Sequence, residues 1–62
     1  MRAGLINQTD YANIYGVYED NGTPIGEVEE RLAGRDVGTH YYSLTSRYKR
    51  SDIKRIFREL KK

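Results

Sequence analysis

The dipeptide Asn21-Gly22 separates two segments that are rich in aromatic and β-branched residues. Such residues favour strands, and Asn-Gly between two strand-like segments is the strongest short signal for a β-hairpin. We therefore predict a two-residue type I′ turn, with one strand over residues 11–19 and the returning strand over residues 23–32. Pro24 lacks a backbone donor, which predicts that the returning strand lies at the edge of the sheet.

A two-residue turn also fixes the register of the hairpin. It predicts three pairs: Tyr18 with Ile25, Val17 with Gly26, and Tyr15 with Val28. Side chains alternate between faces, so the face predicted to form the core carries Tyr11, Tyr15, Val17, Val28 and Leu32. The opposite face carries an apolar group with charged neighbours: Ile14, Tyr18, Ile25, Glu27, Glu29 and Arg31. A bulge at Gly16 or Gly26 would switch part of this pattern.

The second hairpin segment has an alternative interpretation as a helix over residues 24–33. Ile25, Val28 and Leu32 also recur at helical spacing, and Thr23 is a suitable cap residue. We favour the strand, because the Asn-Gly turn requires a partner for the first strand.

Two further elements are predicted downstream. Residues 39–46 have the composition of a strand, with Tyr42 and Leu44 facing the core and Tyr41, Ser43 and Thr45 facing outward. Residues 51–61 predict a helix, with Ser51 as its cap. Its apolar residues recur at positions i, i+3, i+4 and i+7: Ile53, Ile56, Phe57 and Leu60.

These elements predict an α+β fold in which a three-stranded antiparallel β-meander is followed by one packed C-terminal α-helix (β-β-β-α). Residues 1–10 carry little signal and are expected to be irregular, so the single small domain is predicted over residues 11–62. The chain has 62 residues and no Cys, which excludes disulfides and thiolate metal sites and is typical of a cytoplasmic location. No segment has the length and apolar character of a membrane span.

Charge is divided unevenly along the chain. Residues 47–62 contain eight basic and two acidic side chains, a formal charge of +6, whereas residues 1–46 carry −4. This segregation favours a small nucleic-acid-binding module, with DNA preferred over RNA. The predicted phosphate contacts are Arg47, Lys49, Arg50, Lys54, Arg55 and Arg58, with Tyr41 and Tyr48 as aromatic contacts. An acidic protein surface as the partner, or a merely solvated helix face, is the alternative for the same charges.

A protein-interaction module, such as a regulator or inhibitor of a larger partner, is the second functional hypothesis. Its interface would use the acidic hairpin or the surplus apolar patch: Ile14, Tyr18, Ile25, Glu27 and Glu29. The same patch predicts a homodimer. Acidic side chains on an edge strand also deter aggregation, which is the alternative interpretation of the hairpin.

Catalysis, metal binding and cofactors are not indicated. His40 is the only histidine, and the serines lack the setting of a nucleophile. Glu19-Asp20-Asn21-Gly22 looks like part of a calcium loop, but Val17 and Val28 then occupy positions that require carboxylates. The sequence therefore predicts a protein that is not an enzyme and has no metal site.

Overall fold

The computed structural model describes all 62 residues, as a four-stranded antiparallel sheet followed by one helix. The elements are β1 (Arg2–Gln8), β2 (Ala12–Tyr18), β3 (Pro24–Arg31), β4 (Gly38–Ser43) and α1 (Arg50–Leu60). The strands lie side by side in chain order. The α+β class and the C-terminal helix are confirmed, and residues 24–31 form the predicted strand rather than a helix. However, the sheet has four strands instead of three, because β1 occupies residues that were expected to be irregular.

The turn between β2 and β3 is one residue longer than predicted. The Gly22 N–H donates to the Glu19 carbonyl at 2.8 Å, and the Glu19 N–H donates to the Thr23 carbonyl at 2.9 Å. Gly22 is the only residue of this turn with positive φ, at +93°. This is the pattern of a three-residue loop closed by a left-handed glycine, whereas the predicted type I′ turn requires two positive φ angles.

A bulge at Ile25 compensates for the longer turn. Tyr18 pairs with Pro24, but the next pair is Val17 with Gly26, so Ile25 has no partner in β2. The predicted register is therefore wrong at Tyr18 and correct from Val17 onward. The bulge also brings Ile25 into the core, where it is fully buried. Its predicted place on the opposite face was wrong.

The core lies between α1 and one face of the sheet. Its buried members come from β2, β3 and α1: Val17, Ile25, Val28, Ile53 and Phe57. Tyr15 lies opposite Val28 as predicted, and its ring centroid is 5.3 Å from that of Phe57. Tyr41 packs on the other side of Phe57, with a centroid distance of 6.4 Å. Two tyrosine rings of the sheet therefore pack against the buried ring of Phe57.

Several side chains differ from their predicted orientation. Tyr11 and Leu32 lie just beyond the ends of β2 and β3, and they are exposed instead of buried. In β4 the predicted pattern is shifted by one residue, since Tyr41 packs on the core and Tyr42 is exposed. Leu44, also predicted in the core, follows the strand and is exposed.

β3 is a central strand, paired with both β2 and β4. The edge position predicted from Pro24 was therefore wrong. Pro24 is tolerated because it is the first residue of the strand and lies at the register shift, where proline's missing N–H matters least. The edges of the sheet are β1 and β4, so the acidic side chains of β3 do not protect an edge.

Candidate nucleic-acid interface

Helix α1 presents an apolar side to the sheet and a basic side to solvent. Ile53 and Phe57 are buried, and Ile56 packs beside them. With 3.6 residues per turn, the positions between these residues point away from the sheet. They form a shallow polar surface, called the outer face below: Ser51, Lys54, Arg55, Arg58, Glu59 and Lys62.

The helix begins at Arg50. The side chain that accepts a backbone hydrogen bond at its N-terminus is Asp52 rather than Ser51. The Asp52 carboxylate accepts a hydrogen bond from the Lys49 backbone N–H at 2.8 Å and another from the Arg55 guanidinium at 3.1 Å. Both bonds favour the ionised carboxylate and hold the pKa of Asp52 below its ordinary value of 3.8. The predicted Ser51 cap was wrong, and the first turn already carries an internal anion.

Four of the predicted phosphate contacts have no acidic partner. Lys49 and Arg50 are exposed at the start of α1, and Lys54 and Arg58 are exposed one turn apart on the outer face. None of the four side chains forms an ion pair, although seven ion pairs occur in the molecule. The Lys54 ammonium lies 6.0 Å from the centroid of the Tyr41 ring, which is a cation–π distance. These four cations are therefore available to an external anion.

The other cations of the outer face are paired with acidic side chains of the helix. Arg55 bonds Asp52 at 3.1 Å, and Lys62 bonds Glu59 at 3.2 Å. Both basic side chains remain largely exposed, at 69% and 75%. Exposed ion pairs of this kind contribute only about 0–1 kcal/mol. A phosphate can therefore compete for either cation at small cost.

Arg47 and Tyr48 are held away from the outer face by Glu19. The Arg47 guanidinium donates to the Glu19 carboxylate at 3.1 and 3.3 Å, and the Tyr48 hydroxyl donates to the same carboxylate at 3.3 Å. Tyr48 also packs on the core. Both predicted contact residues thus connect the segment before α1 to the end of β2.

Tyr41 is half-buried, and its remaining surface lines a groove at the C-terminal end of α1. Arg58 and Lys61 line the same groove. Lys61 was not among the predicted contacts, although it shares the i, i+4, i+7 stripe of Lys54 and Arg58. Its ammonium lies 5.2 Å from the Phe57 ring centroid, so it turns back over the sheet instead of outward. The groove therefore places one tyrosine beside three cations, Arg58, Lys61 and Lys62, and beside the carboxylate of Glu30, which pairs with Lys61 at 3.9 Å.

The apolar patch predicted for protein interaction does not form as expected. Ile25 is buried beneath α1, and Ile14 and Tyr18 are only half-buried on the opposite face. The Tyr18 ring folds over Gly16, with its hydroxyl oxygen too close to leave room for a Cβ atom on residue 16. The apolar surface of this face is consequently smaller than the sequence suggested.

The rest of that face is polar and partly neutralised by its own pairs. Arg31 donates to Glu29 at 2.8 and 3.3 Å, and the Tyr42 hydroxyl donates to Glu29 at 3.3 Å. The bonds from Arg31 hold the pKa of Glu29 below its ordinary value of 4.5. Glu27 lies beside Tyr42 in the register and forms no ion pair.

No protein-family model, curated protein or solved structure matches this chain. Its one helix has neither the length nor the apolar character needed to cross a membrane. Function is therefore inferred from the geometry and charge of α1.

Proposed function

We propose that this protein is a small, non-enzymatic nucleic-acid-binding module that contacts phosphates through the outer face of α1 and the exposed cations at the start of this helix. The observation that carries this proposal is the set of four exposed basic side chains without acidic partners: Lys49, Arg50, Lys54 and Arg58. The buried residues Ile53 and Phe57 anchor the opposite side of the helix on the sheet. The cations therefore lie on a fixed scaffold, and neutralising phosphates with Lys and Arg supplies most sequence-independent affinity.

Duplex DNA is the preferred substrate in this proposal. The 11 residues of α1 span about 16 Å, and a single exposed α-helix fits the major groove of B-DNA. The major groove of duplex RNA is too narrow for side chains to read. Tyr41 is partly buried against the core, so stacking on unpaired bases is a smaller contribution.

Fluorescence-anisotropy titrations with labelled duplex DNA, single-stranded DNA and duplex RNA test the proposal. We expect the tightest binding to duplex DNA, with affinity that falls steeply as salt rises. If the four unpaired cations each contact a phosphate, the slope of log K against log salt is about −4. Absence of binding to all three probes at low salt would overturn the proposal and redirect the search to an acidic protein partner.

A matched pair of variants tests the site. Arg58→Ala removes an unpaired cation from the outer face, and Arg35→Ala removes an equal charge from the exposed loop between β3 and β4. We expect Arg58→Ala to weaken binding several-fold and to reduce the salt slope by about one, with little change for Arg35→Ala. Equal losses would show that the net charge, not the outer face, drives binding.

A further inference from the structure

β1 is an edge strand with an open side. It pairs only with β2, and all seven of its residues are exposed. The outward N–H and C=O groups of such a strand form a template for another strand. Natural proteins commonly block an edge with charged residues or proline. Residues 3–8 contain neither.

An apolar groove runs beside this edge, because α1 packs mainly over β3 and β4 and leaves β1 largely uncovered. The exposed fractions at its rim are 41% for Met1, 51% for Leu5 and 39% for Leu60. Tyr15 and Phe57 lie at its inner side. The free strand edge and the exposed apolar side chains thus occur on the same side of the molecule.

We propose that the protein forms a two-fold symmetric homodimer in which the β1 strands of two copies pair antiparallel and join the sheets into one of eight strands. A second copy supplies both things that this edge lacks, namely a strand to pair with its free N–H and C=O groups and an apolar surface to cover its exposed rim. The interface is isologous, so the same residues are covered on both copies. Leu5 and Leu60 of each copy then lie against the groove of the other.

The register follows from the faces of the strand. Residues that lie directly opposite each other must share a face, so the two-fold axis passes midway between the two copies of one β1 residue. The register shift between Leu5 and Asn7 leaves Arg2–Leu5 as the regular part of the strand. An axis at Gly4 sets Leu5 opposite Ala3 of the other copy and keeps the two Arg2 side chains apart. A Cβ atom on Gly4 would have no neighbour within 4 Å, so the face of the sheet is open at this position.

The dimer proposal does not depend on the proposed nucleic-acid binding. The dimer would, however, determine how the two copies of α1 are placed relative to a nucleic acid. An axis perpendicular to the sheet keeps both helices on the same face of the joined sheet. The outer faces of both copies would then contact one nucleic acid. Affinity would rise because, once one face is bound, the second binds at a high effective concentration.

Sedimentation equilibrium tests the dimer directly. We expect a mass twice the 7.2 kDa of the chain at submillimolar concentration. Leu5→Lys should give a monomer, because it brings charge into the apolar interface. Leu44→Lys is the matched control, since Leu44 is 52% exposed and lies at the opposite edge of the sheet. A wild-type monomer, or loss of the dimer in Leu44→Lys but not in Leu5→Lys, would overturn the proposal.

Disulfide cross-linking tests the register. Because the chain contains no native Cys, any disulfide must come from the introduced cysteine. Directly opposite Cβ atoms lie about 4.5–5.5 Å apart, close to disulfide range. Gly4→Cys should therefore form a covalent dimer under mild oxidation, whereas Leu44→Cys should remain mostly monomeric. Circular dichroism establishes that both variants fold. A dimer in sedimentation that Gly4→Cys fails to cross-link would place the interface elsewhere and overturn the β1 assignment.

Discussion

Ile53 of α1 packs directly on Gly26 of β3. A Cβ atom on Gly26 would lie 2.7 Å from the Ile53 Cδ1 atom and 2.8 Å from the Tyr42 carbonyl oxygen. Both distances are too short for any side chain, so the helix approaches the sheet this closely only because residue 26 is glycine. Gly26 directly follows the bulge at Ile25, and together the two residues determine where α1 docks.

Gly26→Ala should therefore destabilise the fold by about 1–3 kcal/mol, the usual cost of overpacking a core. The added methyl group must displace either the end of Ile53 or the backbone of β4. Gly4→Ala is the control, because its methyl group meets open space. It should change the free energy of unfolding by less than about 0.5 kcal/mol. Urea unfolding measures both values, and similar losses would contradict the close packing at Gly26.

The ring of Phe57 should stabilise the fold through its contacts with neighbouring aromatic rings as well as through its own burial. It is 4% exposed and contacts the rings of Tyr15 and Tyr41. Phe57→Leu keeps an apolar side chain but loses both aromatic contacts, so we expect a loss of about 1–2 kcal/mol. Leu44→Ala, at an exposed position, should stay within about 0.5 kcal/mol of wild type. Thermal and urea unfolding compare the two variants, and a Phe57→Leu protein as stable as wild type would refute this role.

The hairpin shows how far local sequence signals determine this fold. Asn21-Gly22 predicted the pairing of Val17 with Gly26 correctly, although the actual turn has one more residue. The predicted pair is correct because the unpaired residue Ile25 in β3 offsets the extra residue in the turn. Burial of Ile25 favours this bulge, but such a gain depends on the helix and is not visible in the hairpin sequence.

Elsewhere, neighbouring residues of similar chemistry led to a wrong prediction, because Tyr42 was assigned to the core in place of Tyr41. Tyr41 and Tyr42 are adjacent, so either could face the core, and only the pairing of Tyr41 with Val28 decides. β1 has weak strand character and forms through pairing with β2. The cations of α1 were identified from charge and helical spacing. The ion pair between Arg47 and Glu19 was not predicted, because the two residues lie 28 positions apart in the sequence.

The stability of α1 should decrease in acid through Asp52. Its pKa is lowered in the folded protein by the Lys49 N–H and the Arg55 guanidinium. The stabilisation is therefore fully present above the unfolded pKa, near 3.8, and is lost as the pH falls through the lower folded pKa. Asp52→Asn should lower the melting temperature near neutral pH but not in strong acid, where the wild-type carboxyl is also neutral.

Asp10→Asn is the matched control for this prediction, because the Asp10 side chain forms no hydrogen bond or ion pair and lies in the turn between β1 and β2. Its melting temperature should match that of wild type at both pH values. A difference between wild type and Asp52→Asn that persists unchanged in strong acid would show that the carboxylate charge is not the source of the effect.

Glu19 should restrain nucleic-acid binding, because it holds Arg47 and adds a negative charge near the start of α1. Glu19→Gln keeps a hydrogen-bond acceptor but weakens the attraction for the guanidinium. Arg47 then becomes available to phosphate, so affinity for duplex DNA should rise several-fold at low salt, with a salt slope steeper by about one. Glu27→Gln removes the same charge from the face of the sheet opposite α1, and it should leave affinity nearly unchanged. Anisotropy titrations across a salt series compare the two variants. An equal gain in both would attribute the effect to net charge, and no gain in Glu19→Gln would show that Arg47 lies too far from the bound nucleic acid to contribute.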